Sequence, residues 1–141
     1  MSLLENGMLG PILALIGWTF VMWIWLYATR IPAMRKAKVD LREVSATGQK
    51  PKLPPEVTRV ADNYNHLHEQ PTVFYALAIV TEIVGAADPV SVALAWLYAL
   101  LRVVHSLIQA TANIVIARWA VFNIATLVLL AVFLRTVFAL T

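Results

Sequence analysis

Apolar residues fall in four long stretches, separated by polar segments of very different length. The first stretch runs from Leu9 to Ala28 and meets nothing more polar than Thr19. The second runs from Pro71 to Ala87 with Glu82 inside it, and the third follows Pro89 and contains Arg102 and His105. The fourth follows Arg118 and carries Asn123 and Arg135. Each approaches the roughly 20 residues that a helix needs to cross about 30 Å of hydrocarbon. No alternating ten-residue pattern of a membrane barrel occurs, and an open sheet edge cannot be satisfied in lipid.

The pattern predicts four helices, over residues 9–30, 56–85, 89–112 and 118–140, around a basic loop spanning 31–55. The fold class expected is an all-α membrane protein, a single-domain bundle of four transmembrane helices with up-down topology. The boundary between the last two helices rests on length. From Val90 to Thr141 there is neither Gly nor Pro, and one helix there would be about 75 Å long. The chain must turn, and Thr111-Ala112-Asn113 through Arg118 is where polar residues gather. The segment Gln49-Lys50-Pro51-Lys52-Leu53-Pro54-Pro55 reads as an extended linker before the second helix.

Composition removes the alternatives to a membrane setting. Of 141 residues, 60% are hydrophobic and 13% charged, against about 45–50% and about 25% in soluble domains. A core of this size cannot hide so much apolar surface. With no cysteine, disulfides and a thiolate nucleophile from the chain are excluded. The first ten residues carry no Lys or Arg, and the run after them exceeds a signal-peptide core of about 7–15 residues, so a retained anchor is expected. Eight of the eleven Lys and Arg lie between residues 30 and 59 with three acids. The positive-inside rule places that loop in the cytoplasm and both termini across the membrane. Its cations suit anionic lipid headgroups rather than nucleic acid.

Polar side chains within the helices share one depth. Counted from a hairpin tip at Ala87, Glu69 and His105 both lie about 27 Å away. Arg118 and Arg30 fall about 34 and 32 Å from the same side. On the second helix Arg59, Asn63, His66 and either Glu69 or Gln70 form a stripe; on the third, Tyr98, Arg102, His105, Gln109 and Asn113 do. Such stripes are costly against lipid and must face a helix, a cleft or a ligand. Guanidinium forks match carboxylates, so a small multi-carboxylate anion is one guest, with Arg118 adding a helix N-terminus. The alternative is structural: Glu69 neutralises Arg102, His105 bonds between helices, and the other arginines reach the interface. His66 and His68 are two residues apart and do not share a helical face, so no metal site is expected. Glu82 and Arg135 lie toward the opposite face and read as structural.

Two segments are familiar. Arg59-Val-Ala-Asp-Asn63-Tyr-Asn65-His66-Leu-His68-Glu69-Gln70-Pro71 and Arg102-Val-Val-His105-Ser106, followed by Asn113, Arg118 and Phe122, resemble the MAPEG family, membrane-associated proteins in eicosanoid and glutathione metabolism, and especially its bacterial branch. The resemblance covers nearly the whole chain. It implies a homotrimer in a bacterial inner membrane, with glutathione as co-substrate between protomers near the cytoplasmic face. Arg30, Arg59, Asn63 or Asn65, His66 and Glu69 would contact the tripeptide. Arg102 and His105 match an Arg-x-x-His of prostaglandin E synthase-like members, with Gln109 one turn on, and Arg118 falls where the family places its thiol-activating arginine.

The implied activity is transfer of glutathione to a hydrophobic electrophile, or reduction of a lipid hydroperoxide. Gln109 and Phe122 stand where eicosanoid-forming members carry a tyrosine, and Trp119 where some carry serine, which argues against prostaglandin or leukotriene synthesis. The rival reading is a non-catalytic membrane protein whose polar layer binds a lipid headgroup or cements a trimer.

Overall fold

The computed structural model describes residues 7–141, all helical apart from turns and linkers. Six helices follow in order: α1 Leu9–Lys36, α2 Leu41–Thr47, α3 Pro55–His66, α4 Gln70–Ile83, α5 Pro89–Ala110 and α6 Val115–Leu140. Three of them, α1, α5 and α6, are long and apolar enough to cross a membrane. Residues 1–6, which include one of the two termini placed across the membrane, lie outside the described residues.

The single helix expected over 56–85 is corrected: α3 and α4 are separate, with a turn at 67–69. Pro71 explains the break. It has no N–H for the carbonyl of Leu67, its ring crowds that carbonyl, and it disfavours helical geometry at Gln70. The α1 helix does not stop at Arg30 but continues to Lys36 through Pro32, so helix and apolar stretch end at different places. The loop 31–55 also holds a short helix ahead of its extended 49–54 stretch. Asp40 accepts from the N–H of Arg42 at 2.8 Å and starts α2, and Gly48 at φ +68 ends it. The turn between the last two helices occupies 111–114, with Asn113 at φ +51.

Small residues decide the packing. Ala95 and Ala99 on α5 and Ala125 on α6 are buried in one cluster with Leu15, Phe74, Tyr98 and Val132, which lets backbones approach closely without a hydrophobic drive from lipid. A second cluster of Met22, Leu26, Val60, Leu67 and Ala110 joins α1 to α3 and the end of α5. Large apolar side chains such as Phe20, Ile24, Leu100 and Leu127 point outward, as lipid-facing residues do. At one end, Arg135 bonds Asp88 and, at 3.1 Å, the Ser91 hydroxyl, while Glu82 accepts the Met8 N–H at 2.8 Å. The two charges expected there serve the fold by separate partners.

Candidate functional site

The stripe on α5 is buried as its spacing requires: Tyr98, Arg102, His105 and Gln109 are all inaccessible. Arg102 is 1% exposed, and in lipid a charge so placed demands partners. One is the backbone carbonyl of His66, to which Nη2 donates at 3.2 Å; another is the face of Phe122, whose centroid lies 5.8 Å from Cζ. Its Nε and Nη1 have none.

Around Arg102 the helices bring most of the expected residues together. Asn63 on α3 is buried and donates through Nδ2 to the Ser106 hydroxyl at 2.5 Å. The His105 ring lies 6.3 Å from that of His66 and 6.2 Å from that of Phe122. Arg59 reaches across to the carbonyl of Thr111 at the end of α5. In the first turn of α6, Arg118 donates through Nη1 to the Asn113 side chain at 2.5 Å.

Other placements differ from the sequence expectation. Glu69 does not contact Arg102 but pairs with His66, Oε2 to Nδ1 at 3.0 Å, on the exposed side of the break. Asn65 is exposed. Arg30 is half-buried near the end of α1 and, among the described residues, makes no side-chain hydrogen bond or ion pair. Asn113 leaves the helical stripe because α5 ends at Ala110. The sequence does not single out Ser106 as a partner, and it leaves Gln70 as an alternative to Glu69. Ser106 holds Asn63, and its position four residues after Arg102 was the available signal. Gln70 accepts from the Tyr98 hydroxyl at 3.2 Å and donates to Thr126 at 2.8 Å, linking α4, α5 and α6 one turn deeper.

Unsatisfied polar atoms concentrate here. Among the described residues, the buried side-chain atoms without a hydrogen-bond partner are Asn63 Oδ1, Arg102 Nε and Nη1, His105 Nδ1, Gln109 Oε1, Arg118 Nε and, apart from these, Trp18 Nε1. Buried polar groups are normally paired, and leaving one unpaired costs about 1–3 kcal/mol. One layer between α3, α5 and α6 thus holds donors and acceptors that no group among the described residues takes up. Between α1 and the helix break, Ile16, Phe20, Trp23, Leu67 and Tyr75 line an open, largely apolar cleft of about 360 Å³.

Neither the curated proteins nor the solved structures yield a match to the chain. The family model described as "MAPEG family" matches residues 8–138, nearly the whole sequence. With three apolar membrane-length helices and a buried polar layer at one end of them, the chain belongs to the MAPEG family of integral membrane proteins.

Proposed function

We propose that the chain is a membrane-embedded, glutathione-dependent transferase or peroxidase, working as a homotrimer in a bacterial inner membrane. The observation that carries this reading is the convergence of unpartnered buried atoms from Asn63, Arg102, His105, Gln109 and Arg118. A peptide with two carboxylates, amides and a thiol offers both the acceptors that the guanidiniums lack and the donors that the amide oxygens lack.

In the bundle, α1, α3 with α4, α5 and α6 form four crossings, with the 31–55 loop cytoplasmic. Arg30, Arg59, Asn63, His66, Glu69, Arg102, His105 and Gln109 bind the tripeptide, with Asn65 at the rim. Arg30 from α1 serves a site shared with a neighbouring protomer, which suits its lack of an ion-pair partner among the described residues. Arg118 stabilises the thiolate. A thiol of reference pKa about 8.5 is mostly protonated at neutral pH. A guanidinium about 4 Å away stabilises the anion by roughly 4 kcal/mol at an effective dielectric near 20, before desolvation.

In transfer, the thiolate sulfur attacks the electrophilic carbon, a C–S bond forms, and the leaving group departs with the bonding pair. In peroxide reduction, the sulfur attacks the distal peroxide oxygen and the O–O bond breaks to give an alcohol. A second glutathione then yields the disulfide and water. Substrates arrive dissolved in the bilayer, where the apolar cleft between α1 and the helix break suits them.

One observation favours the non-catalytic reading. Arg59, Arg102 and Arg118 each hold a backbone or amide oxygen of the chain itself. The deciding experiment is thermal unfolding of the detergent-purified protein with and without millimolar glutathione, with conjugation to a chloronitrobenzene as the activity readout. Stabilisation, and activity that Arg118→Ala lowers far more than it lowers trimer stability, is expected. Neither stabilisation nor conjugation, or equal loss of activity and stability, would leave a structural layer.

A further inference from the structure

Where α1 gives way to α2, the chain forms a nook that is both apolar and cationic. The last turn of α1 ends in a Schellman motif: Val39 N–H bonds the carbonyl of Met34 and Lys38 N–H that of Arg35, both at 3.1 Å. That geometry puts its left-handed residue at Lys38, φ +48, a place glycine usually takes. Met34 and Val39, the apolar pair such a motif brings together, form the floor. Ile31 and Leu41 form the walls, Arg35 and Lys38 the polar margin, and the space is about 300 Å³.

Three properties of this nook belong together. It is apolar over most of its lining, yet its charged residues are both cations. Among the described residues, neither Arg35 nor Lys38 has an ion-pair partner. The acids of the segment, Asp40 and Glu43, do not line the nook but a neighbouring cleft that shares Lys38 and Val39 with it and also holds Lys50 and Lys52. Its depth is also set by α1. The 28 residues of that helix measure about 42 Å, so its last turns project about 12 Å beyond a 30 Å hydrocarbon core, into the headgroup layer.

We propose that this nook is a binding site for an anionic phospholipid, its phosphate held between Arg35 and Lys38 and its glycerol and first methylenes laid on Ile31, Met34, Val39 and Leu41. A free phosphate would use the two cations and leave the apolar floor uncovered; a diacyl lipid covers both. The site lies outside the arginine layer and does not depend on the glutathione chemistry. It ties the basic loop to the membrane at a defined point rather than by diffuse charge.

The test uses the full chain in nanodiscs of phosphatidylcholine alone, or with phosphatidylglycerol added, and in detergent with graded phosphatidylglycerol or with inorganic phosphate. Phosphatidylglycerol should raise the unfolding temperature of the unaltered chain, and inorganic phosphate should not. Arg35→Gln with Lys38→Gln should weaken the apparent lipid affinity about 25-fold, and either alone about fivefold. Lys50→Gln with Lys52→Gln, the same charge removed nearby, should leave it within about twofold. Lys38→Gly is the second variant: glycine suits the left-handed backbone, so folding is spared while the cation is lost. No effect of the lipid, equal weakening by both double variants, or an equal response to inorganic phosphate would each overturn the proposal.

Discussion

The guanidinium of Arg102 on α5 donates through Nη2 to the carbonyl of His66, 3.2 Å away, where α3 ends. In an unbroken helix that oxygen would take the N–H of Gln70. Here it receives the N–H of Glu69 at 3.3 Å together with the arginine. Arg102 therefore closes the end of a helix that Pro71 prevents from continuing, and the same side chain keeps two nitrogens unpartnered in the candidate site. The break and the polar layer are one structural feature.

Arg102→Leu should on this basis damage both. Loss of a hydrogen bond to a charged donor costs about 1.5–3 kcal/mol, and the unfolding temperature in detergent should fall accordingly. Arg102→Lys keeps a charge but not the fork, and should recover part of the stability and little of any glutathione-induced stabilisation. Unchanged unfolding of Arg102→Leu would remove the cap from the account.

The bond between Asn63 and Ser106 permits a sharper test. Ser106→Ala leaves a buried amide donor without its acceptor, at an expected cost of about 1–3 kcal/mol. Asn63→Leu with Ser106→Ala should cost less than the two single changes added together, since neither group is then left unpaired. Asn65→Ala, on the exposed side of the same helix, should stay within about 0.5 kcal/mol. Denaturation of the four variants reads this directly, and additive single effects would mean that the pair is not coupled.

What sequence spacing resolves, and what it does not, is visible in these residues. The run Tyr98, Arg102, His105, Gln109 repeats at helical intervals, and all four are buried. The same arithmetic favours Asn63 over Asn65, because Asn63 lies four residues after Arg59 and three before His66. Counting straight through Pro71 hid the break, although proline at that position opposes a continuous helix. The short α2 also had a signature: Asp40 and Glu43 at capping-box spacing, then Gly48. Hydropathy alone misplaces the end of α1, because a helix can outrun its apolar stretch into the headgroups. Hydrogen bonds such as Arg102 to His66 depend on three-dimensional approach and leave no local pattern.

Asp88, in the turn before α5 and outside the spans, sets a pH dependence. The Ser91 backbone N–H, at 2.7 Å, then the Ser91 hydroxyl and Arg135, hold its carboxyl below the ordinary value. A pKa lowered by folding contributes stability above the unfolded value, about 3.9, and that contribution is lost as pH falls through the folded value. Asp88→Asn keeps a good helix cap and removes the charge. The unaltered chain should unfold at a higher temperature than Asp88→Asn near pH 6, and the gap should begin to narrow below about pH 4 and close only as the carboxyl takes its proton in the folded state. A gap that does not narrow at all as the pH is taken from 6 to well below 4 would show that the charge is not its source.

The last prediction separates fold from chemistry at Arg118. Asn113 occupies a left-handed conformation, φ +51, and its side chain holds Arg118 Nη1 at 2.5 Å. Glycine takes that backbone without strain, so Asn113→Gly should release the guanidinium at the cost of only a modest fall in unfolding temperature, the relaxed backbone offsetting part of the lost hydrogen bond. If Arg118 acts on the thiol, turnover at saturating glutathione should fall about 10- to 100-fold, the loss typical of a misplaced catalytic group. The Michaelis constant for glutathione should move little, because the carboxylate-binding arginines are untouched. The ultraviolet absorbance of bound thiolate should titrate at higher pH than in the unaltered protein. A purely structural Arg118 would give the reverse: a large fall in stability, with the thiolate titration, where one is measurable, left in place.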